Sequence, residues 1–157
     1  MTNKLAGLLP LLPLLVFAAT TAEPAGYKYW SAAELNGMAK SMAPKINAHH
    51  VALDNLADFG ADRAMMVHRE GSGEAELHEN ESDVIVVVSG AGTLLIGGTI
   101  PGSKPTAPGE VRAPAVEGGA RQKIAAGDIL HIPPKVPHQV MLEPGTQITY
   151  FTLKVKE

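Results

Sequence analysis

The sequence predicts an all-β protein, a sheet rolled into a single jelly-roll barrel with one short helix ahead of it. Three observations point there. From Ile46 onward the chain breaks into short apolar runs parted by Gly, Pro, Asn and Asp at intervals of about ten residues, the spacing of a sandwich or barrel. Sixteen Gly and twelve Pro among 157 residues exceed ordinary usage without a repeating period, which fits many tight turns and neither collagen nor simple disorder. The run Val84, Ile85, Val86, Val87, Val88 carries apolar side chains on both faces of a strand, as burial between two layers requires.

The elements follow in order. Lys4 precedes an apolar run over 5–19, then small residues and Glu23-Pro24, the layout of a secretory signal peptide. Cleavage is expected after Ala22, with Thr20 at the −3 position. Pro10 and Pro13 interrupt the run, and it falls short of the roughly 20 residues a spanning helix needs. The expectation is an exported chain, periplasmic or secreted, with no membrane attachment once the signal peptide is removed. Ser31 with Glu34 three residues later forms a capping-box pattern that opens a helix, and Pro44 closes it. Strands are expected around 49–53, 63–69, 74–78, 84–88, 93–96, 129–132, 139–142 and 147–155. The Pro- and Gly-rich stretch 97–127 is too long for a hairpin turn and reads as a surface excursion or lid. The expected organisation is a signal peptide over 1–22, an extension and helix over 23–45, and the barrel over 46–157.

Composition narrows the function. A net charge of −3 removes the attraction that nucleic acid or an anionic membrane surface would need. With no cysteine there is no disulfide, thiolate nucleophile or Cys-type zinc knuckle, so site chemistry falls to His and carboxylates. There is no Gly-rich phosphate loop with Lys and Ser or Thr, no GxSxG elbow, and no HExxH.

Two segments carry ligand-type residues. In 74–88, a strand over 74–78 projects Glu74, Glu76 and His78 to one face, because side chains alternate with period two. Asp83 follows at the mouth of the Val-rich strand, where it faces solvent or needs a charge partner inside. In 127–140, Gly127-Asp128 makes a turn, and Pro133, Pro134 and Pro137 form a rigid bend that aims His138 at the start of the next strand. His49, His50, His68, His131, Arg63, Arg69, Arg112 and Glu110 are weaker candidates. His68 is expected at the surface or rim, His131 in the core or on the sheet surface, and each Arg in solvent.

These segments resemble the paired motifs of the cupins, G(X)5HXH(X)3-4E(X)6G and G(X)5PXG(X)2H(X)3N. Gly90 stands at the closing Gly of the first, with Asp83 at its Glu, His78 at its second His and Glu76 at its first. Gly127, Pro133 and His138 match the second, while Lys135 stands at its Gly and Leu142 at its Asn. The resemblance covers about 60–155 and implies a single cupin jelly-roll β-barrel. It also implies one divalent transition metal, Fe, Mn, Ni or Zn, held by Glu76, His78 and His138 with Asp83 as a fourth ligand or a supporting partner; a sulfur-free set of His and carboxylate suits such ions. The function so implied is a metalloenzyme acting on a small organic substrate, oxygenase-type ahead of isomerase or lyase. The alternative is a cupin that binds a small ligand or metal without turnover, and a homodimer through sheet edges is a further expectation.

Overall fold

The computed structural model describes residues 22–157; the expected signal peptide, save its last residue, lies outside them. Helix α1 (Ala32–Met42) starts where the capping box put it: the Ser31 hydroxyl accepts from the Glu34 amide, and the Glu34 carboxylate accepts from the Ser31 amide. A 3₁₀ turn (Ala43–Lys45) containing Pro44 follows. Ten strands complete the chain: β1 (Val51–Asp58), β2 (Arg63–Arg69), β3 (Ala75–His78), β4 (Glu81–Ile96), β5 (Lys104–Ala107), β6 (Glu110–Ala113), β7 (Ala120–Ala125), β8 (Ile129–Ile132), β9 (His138–Met141) and β10 (Ile148–Lys156).

All pairing is antiparallel, and the sheet curls into an all-β roll around β4. The first half of β4 lies between β10 and β8, with β2 and β1 beyond β10. Its second half lies between β7 and β9, with β3, β6 and β5 beyond β9. The two apolar runs expected as separate strands over 84–88 and 93–96 are therefore one strand. Gly90 makes this possible: it holds φ +76°, a conformation that favours glycine, and packs directly on the Gln147 carbonyl.

The stretch 97–127 is a correction to the sequence reading. It carries β5, β6 and β7 rather than an irregular loop. β5 is exposed throughout and β7 buries only Ile124, so the alternation that marks a half-buried strand is missing there. The first strand starts at Val51 and not near His49 because the Asn47 side chain accepts from the amides of His49 and Val51 while His50 turns at φ +57°, an Asx-type turn.

Side chains of β4 alternate between two cores, as period two demands. Ile85 and Val87 face the barrel interior with Val67, Val140, Ile148 and Tyr150. Val88 packs on the other side with Met66, Ala52 and the helix residues Ala39 and Met42, so α1 covers the outside of the β1–β2–β10 wall. Each fully buried aliphatic side chain contributes about 2 kcal/mol by leaving water. Asp83 shares the parity of Ile85 and Val87, which turns a carboxylate into the barrel.

Replacing Gly90 by Ala is expected to lower stability by roughly 3 kcal/mol, since the new Cβ meets the Gln147 carbonyl and the backbone conformation disfavours a side chain. The urea midpoint of the purified variant measures it; an unchanged midpoint would contradict the role given to this bend.

Candidate functional site

Four elements bring the polar residues together at one end of the barrel. On β3, Glu76 and His78 point the same way, and the ladder sets Glu76 opposite both His138 of β9 and Arg112 of β6, with His78 opposite Glu110 of β6. On the facing wall, Asp83 of β4 is opposite Lys154 of β10. His78, Asp83 and His138 are buried.

Glu76, His78 and His138 each offer a ligand atom, and these atoms lie within 4.8 Å of one another. The His78 and His138 rings are 5.2 Å apart, centre to centre. Asp83 converges on the same space: its Oδ2 is 3.3 Å from His78 Nε2 and 3.5 Å from His138 Nε2. Its Oδ1 accepts from Lys154 Nζ at 2.6 Å. The charge partner that a buried carboxylate requires is thus a lysine.

Each imidazole is held by its other nitrogen. His78 Nδ1 lies 2.9 Å from Glu110 Oε1 and donates to that carboxylate; His138 Nδ1 lies 3.0 Å from the Val136 carbonyl and donates to it. Both acceptors can only accept, so in the neutral rings both Nε2 atoms carry lone pairs toward the shared space. At His78 that lone pair accepts from Lys154 Nζ at 2.8 Å.

Lys135, which stands where the cupin motif has Gly, takes φ +63°, the left-handed region that costs a side chain about 1 kcal/mol or more. Its amide donates to the His78 carbonyl at 2.7 Å, which ties the proline bend to the end of β3. Leu142, at the motif's Asn position, packs partly buried against the barrel core.

A ring of opposite charges surrounds the cluster. Arg69 of β2 donates to Glu76 at 3.0 Å and to the Tyr150 hydroxyl at 3.1 Å; Arg112 lies 2.8 Å from Glu110 and 3.5 Å from Glu76. Burial opposes the charge on Asp83, yet the His138 and His78 imidazoles and the Lys154 ammonium hold its carboxyl far below its ordinary value. Burial opposes Glu76 as well, and Arg112 and Arg69 overcome it to lower that group. For His78 burial disfavours the imidazolium, but Asp83, with a further contribution from Glu110, raises its pKa against burial and the Lys154 charge.

The cluster opens into a cavity of about 410 Å³. Glu76, Asp83, His138, Arg112 and Lys154 are its polar lining, and Val51, Leu53, Met65 and Val67 are part of its apolar lining. His49 lines the cavity as an exposed residue. Of the weaker candidates, Glu110 joins the site through β6. Arg69 and Arg112 are not solvated as expected but line the cavity. His68 is not at the rim but buried under α1, its Nδ1 2.7 Å from Thr149 Oγ1. His131 is exposed on β8, and Arg63 is exposed and paired with Glu81. Lys154, Tyr150 and Thr152 were not singled out from sequence. Their signal was the alternation Ile148, Tyr150, Thr152, Lys154, one face of β10 turning polar toward its end.

The charges give opposite pH slopes. Asp83 and Glu76, held below their ordinary values of 3.8 and 4.5, contribute stability that is full above those values and is lost as pH falls toward the lowered ones. His78, raised above 6.5, contributes stability that is full below 6.5 and is lost as pH rises through its folded value. Asp83→Asn is expected to lower stability at pH 7 by about 3 kcal/mol, because Lys154 is left without its buried partner. It is also expected to flatten the loss of stability below pH 4 relative to the parent protein, with urea midpoints across pH 3 to 7 as the measurement.

No family model matches the chain, and no curated protein matches it in sequence. Solved structures do. The chain is similar to a double-stranded β-helix domain protein of Klebsiella pneumoniae, at TM-score 0.54 and 14% identity over 83% of this chain and 90% of that one. It is similar to a cupin-2 domain of Rhodospirillum rubrum, at 0.50 and 15% over 69% and 62%. It is also similar to a Streptomyces nucleoside dehydratase solved with uridine, at 0.50 and 13% over 70% and 72%. The chain has the cupin fold, the double-stranded β-helix, with a His/Glu group inside it that could hold a metal ion.

Proposed function

We propose that this protein is a small-molecule cupin whose barrel takes one divalent transition metal at Glu76, His78 and His138, with Asp83 as a fourth ligand or a supporting partner. The observation that carries the proposal is the pair of anchored imidazoles: with Nδ1 of each ring engaged by an acceptor, both Nε2 lone pairs share the space beside the Glu76 carboxylate, 3.6 Å from His78 Nε2. Such a donor set suits Fe, Mn, Ni or Zn. An ion held there supplies Lewis-acid or oxygen-activating chemistry, and we place oxygenase-type reactions ahead of isomerisation or elimination on a small organic substrate.

The chain's own residues divide the remaining work. Glu110 fixes the tautomer and direction of His78, the arrangement that makes a ring a better ligand. The Val136 carbonyl does the same for His138. Arg69 and Arg112 hold Glu76 ionised and limit its rotation. The apolar lining of Val51, Leu53, Met65 and Val67 strips water from a bound substrate. The cupin neighbours support the reading at a coarser level, since one of them is an enzyme solved with the small molecule uridine.

Lys154 favours a second reading. Its ammonium contacts the same His78 lone pair that an ion would use, so the cluster can also stand as a metal-free site for a small ligand, with lysine as the resident cation. The two readings separate on elemental analysis of protein produced in metal-supplemented medium. The metal reading expects about one transition metal per chain, lost in His78→Ala and His138→Ala, and weakened by about tenfold or more in Glu110→Gln; metal-free protein in every preparation would overturn it.

Lys154→Met is expected to tighten zinc binding by about tenfold, because a competing cation leaves a site whose anions remain. Competition against a chromogenic chelator reads this directly. Unchanged affinity would mean that Lys154 does not contend for the site.

A further inference from the structure

We infer that Gly73 and Arg69 together make Glu76 a one-oxygen ligand: the guanidinium, seated where Gly73 has no side chain, holds Oε1 of the carboxylate and leaves Oε2 for the ion. This rests on the metal reading above and gives Gly73, in the turn between β2 and β3, a positioning role in it. The two oxygens of Glu76 are not equivalent. Arg69 Nη2 donates to Oε1 at 3.0 Å, whereas Oε2 lies 3.6 Å from His78 Nε2, on the side of the shared space. Arg112 comes no nearer to Oε2 than 3.5 Å, too long for a strong hydrogen bond. One oxygen is taken and the other faces the imidazole.

The guanidinium that makes this division is itself fixed. Its Nε donates to the Tyr150 hydroxyl at 3.1 Å while Nη2 holds Glu76, and a planar fork bonded at two points cannot roll. Gly73 supplies the room. A Cβ at that position would lie 2.5 Å from Arg69 Nη1 and 2.9 Å from Cζ, so the guanidinium fills the volume that any other residue would claim. The backbone there has little freedom to retreat, because the Gly73 amide donates to the Val140 carbonyl at 3.0 Å and its own carbonyl accepts from Gln139 Nε2 at 2.7 Å. Nor does the turn need glycine for its conformation, since Gly73 is not among the glycines with positive φ. The requirement is space for Arg69. The chemical consequence concerns the position at which Glu76 stands in place of a histidine. An imidazole offers an ion one nitrogen, whereas a free carboxylate can offer two oxygens. With Oε1 held, Glu76 gives one atom, as the imidazole does.

The test is the crystal structure of the zinc-loaded protein beside those of Gly73→Ala and Arg69→Lys, with the Arg69 Nε–H resonance of isotope-labelled, zinc-free protein as a second readout. In the parent protein one Glu76 oxygen is expected about 2.1 Å from zinc and the other on Arg69. In Gly73→Ala the guanidinium is displaced and both oxygens turn to the ion; Arg69→Lys, which keeps the charge but not the fork, is expected to do the same. Without zinc, Gly73→Ala is expected to shift the Nε–H signal and to speed its exchange with water by about tenfold or more. Gly71→Ala, whose Cβ meets His50 and not Arg69, should leave that signal in place. Both oxygens on zinc in the parent protein, one-oxygen binding unchanged in either variant, or an Arg69 signal unmoved by Gly73→Ala would each overturn the inference. If zinc is not retained but Gly73→Ala still moves the Arg69 signal, the metal reading falls and the seating of Arg69 by Gly73 stands.

Discussion

The constraint on which the rest of this molecule depends is the burial of Asp83. A strand whose inward positions are otherwise Ile85 and Val87 turns a carboxylate into the barrel, and such a group stays ionised only where cations and donors meet it. Lys154 supplies the charge from the neighbouring strand, and the two imidazoles lie on the open side of the carboxylate. Strand register makes this possible without adjustment, because Asp83 and Lys154 are direct partners across the β4–β10 ladder. The same logic repeats on the opposite wall, where Arg69 and Arg112 flank Glu76. A barrel end carrying six charges survives because each charge is answered within a few ångströms.

That mutual answering shapes what the site can do. Groups already paired in the resting protein are held in place, which favours precise recognition over adaptation. Glu110 illustrates the point. It does not reach into the shared space between the imidazoles, yet it determines which nitrogen of His78 bears a proton and therefore whether the ring acts as ligand, acceptor or donor there.

How far all this was legible in the sequence depends on which signal each residue left. The roll was legible because β2, β4, β8 and β10 carry apolar runs bounded by turn residues. The convergence of Glu76, His78, Asp83 and His138 was legible through motif spacing, which encodes strand lengths and turns together. β5, β6 and β7 were hidden because short, largely exposed strands such as Ala120–Ala125, where only Ile124 is buried, lack the apolar alternation that marks a half-buried strand. Lys154 and Thr152 were hidden for another reason. Their inward direction follows from the parity of β10, but nothing in the residue types says that the cavity lies on that side and not on the side of Phe151. Arg69 and Arg112 read as solvated because an isolated arginine usually is; only the pairing of β3 with β6, and the path of β2, put them beside Glu76.

β4 belongs to both halves of the roll, flanked by β10 and β8 before Gly90 and by β7 and β9 after it. Its most extensively paired neighbour, β10, comes last in the order of strands. The barrel therefore cannot close in the sequence in which it is synthesised: β4 emerges with its inner face and one long edge uncovered and waits for everything up to Lys156. Topologies dominated by such distant pairings assemble slowly and leave sticky intermediates. For this chain the vulnerable interval is the one before the final strand docks, when a sixteen-residue strand with the apolar run Val84 to Val88 is open to any other strand it meets.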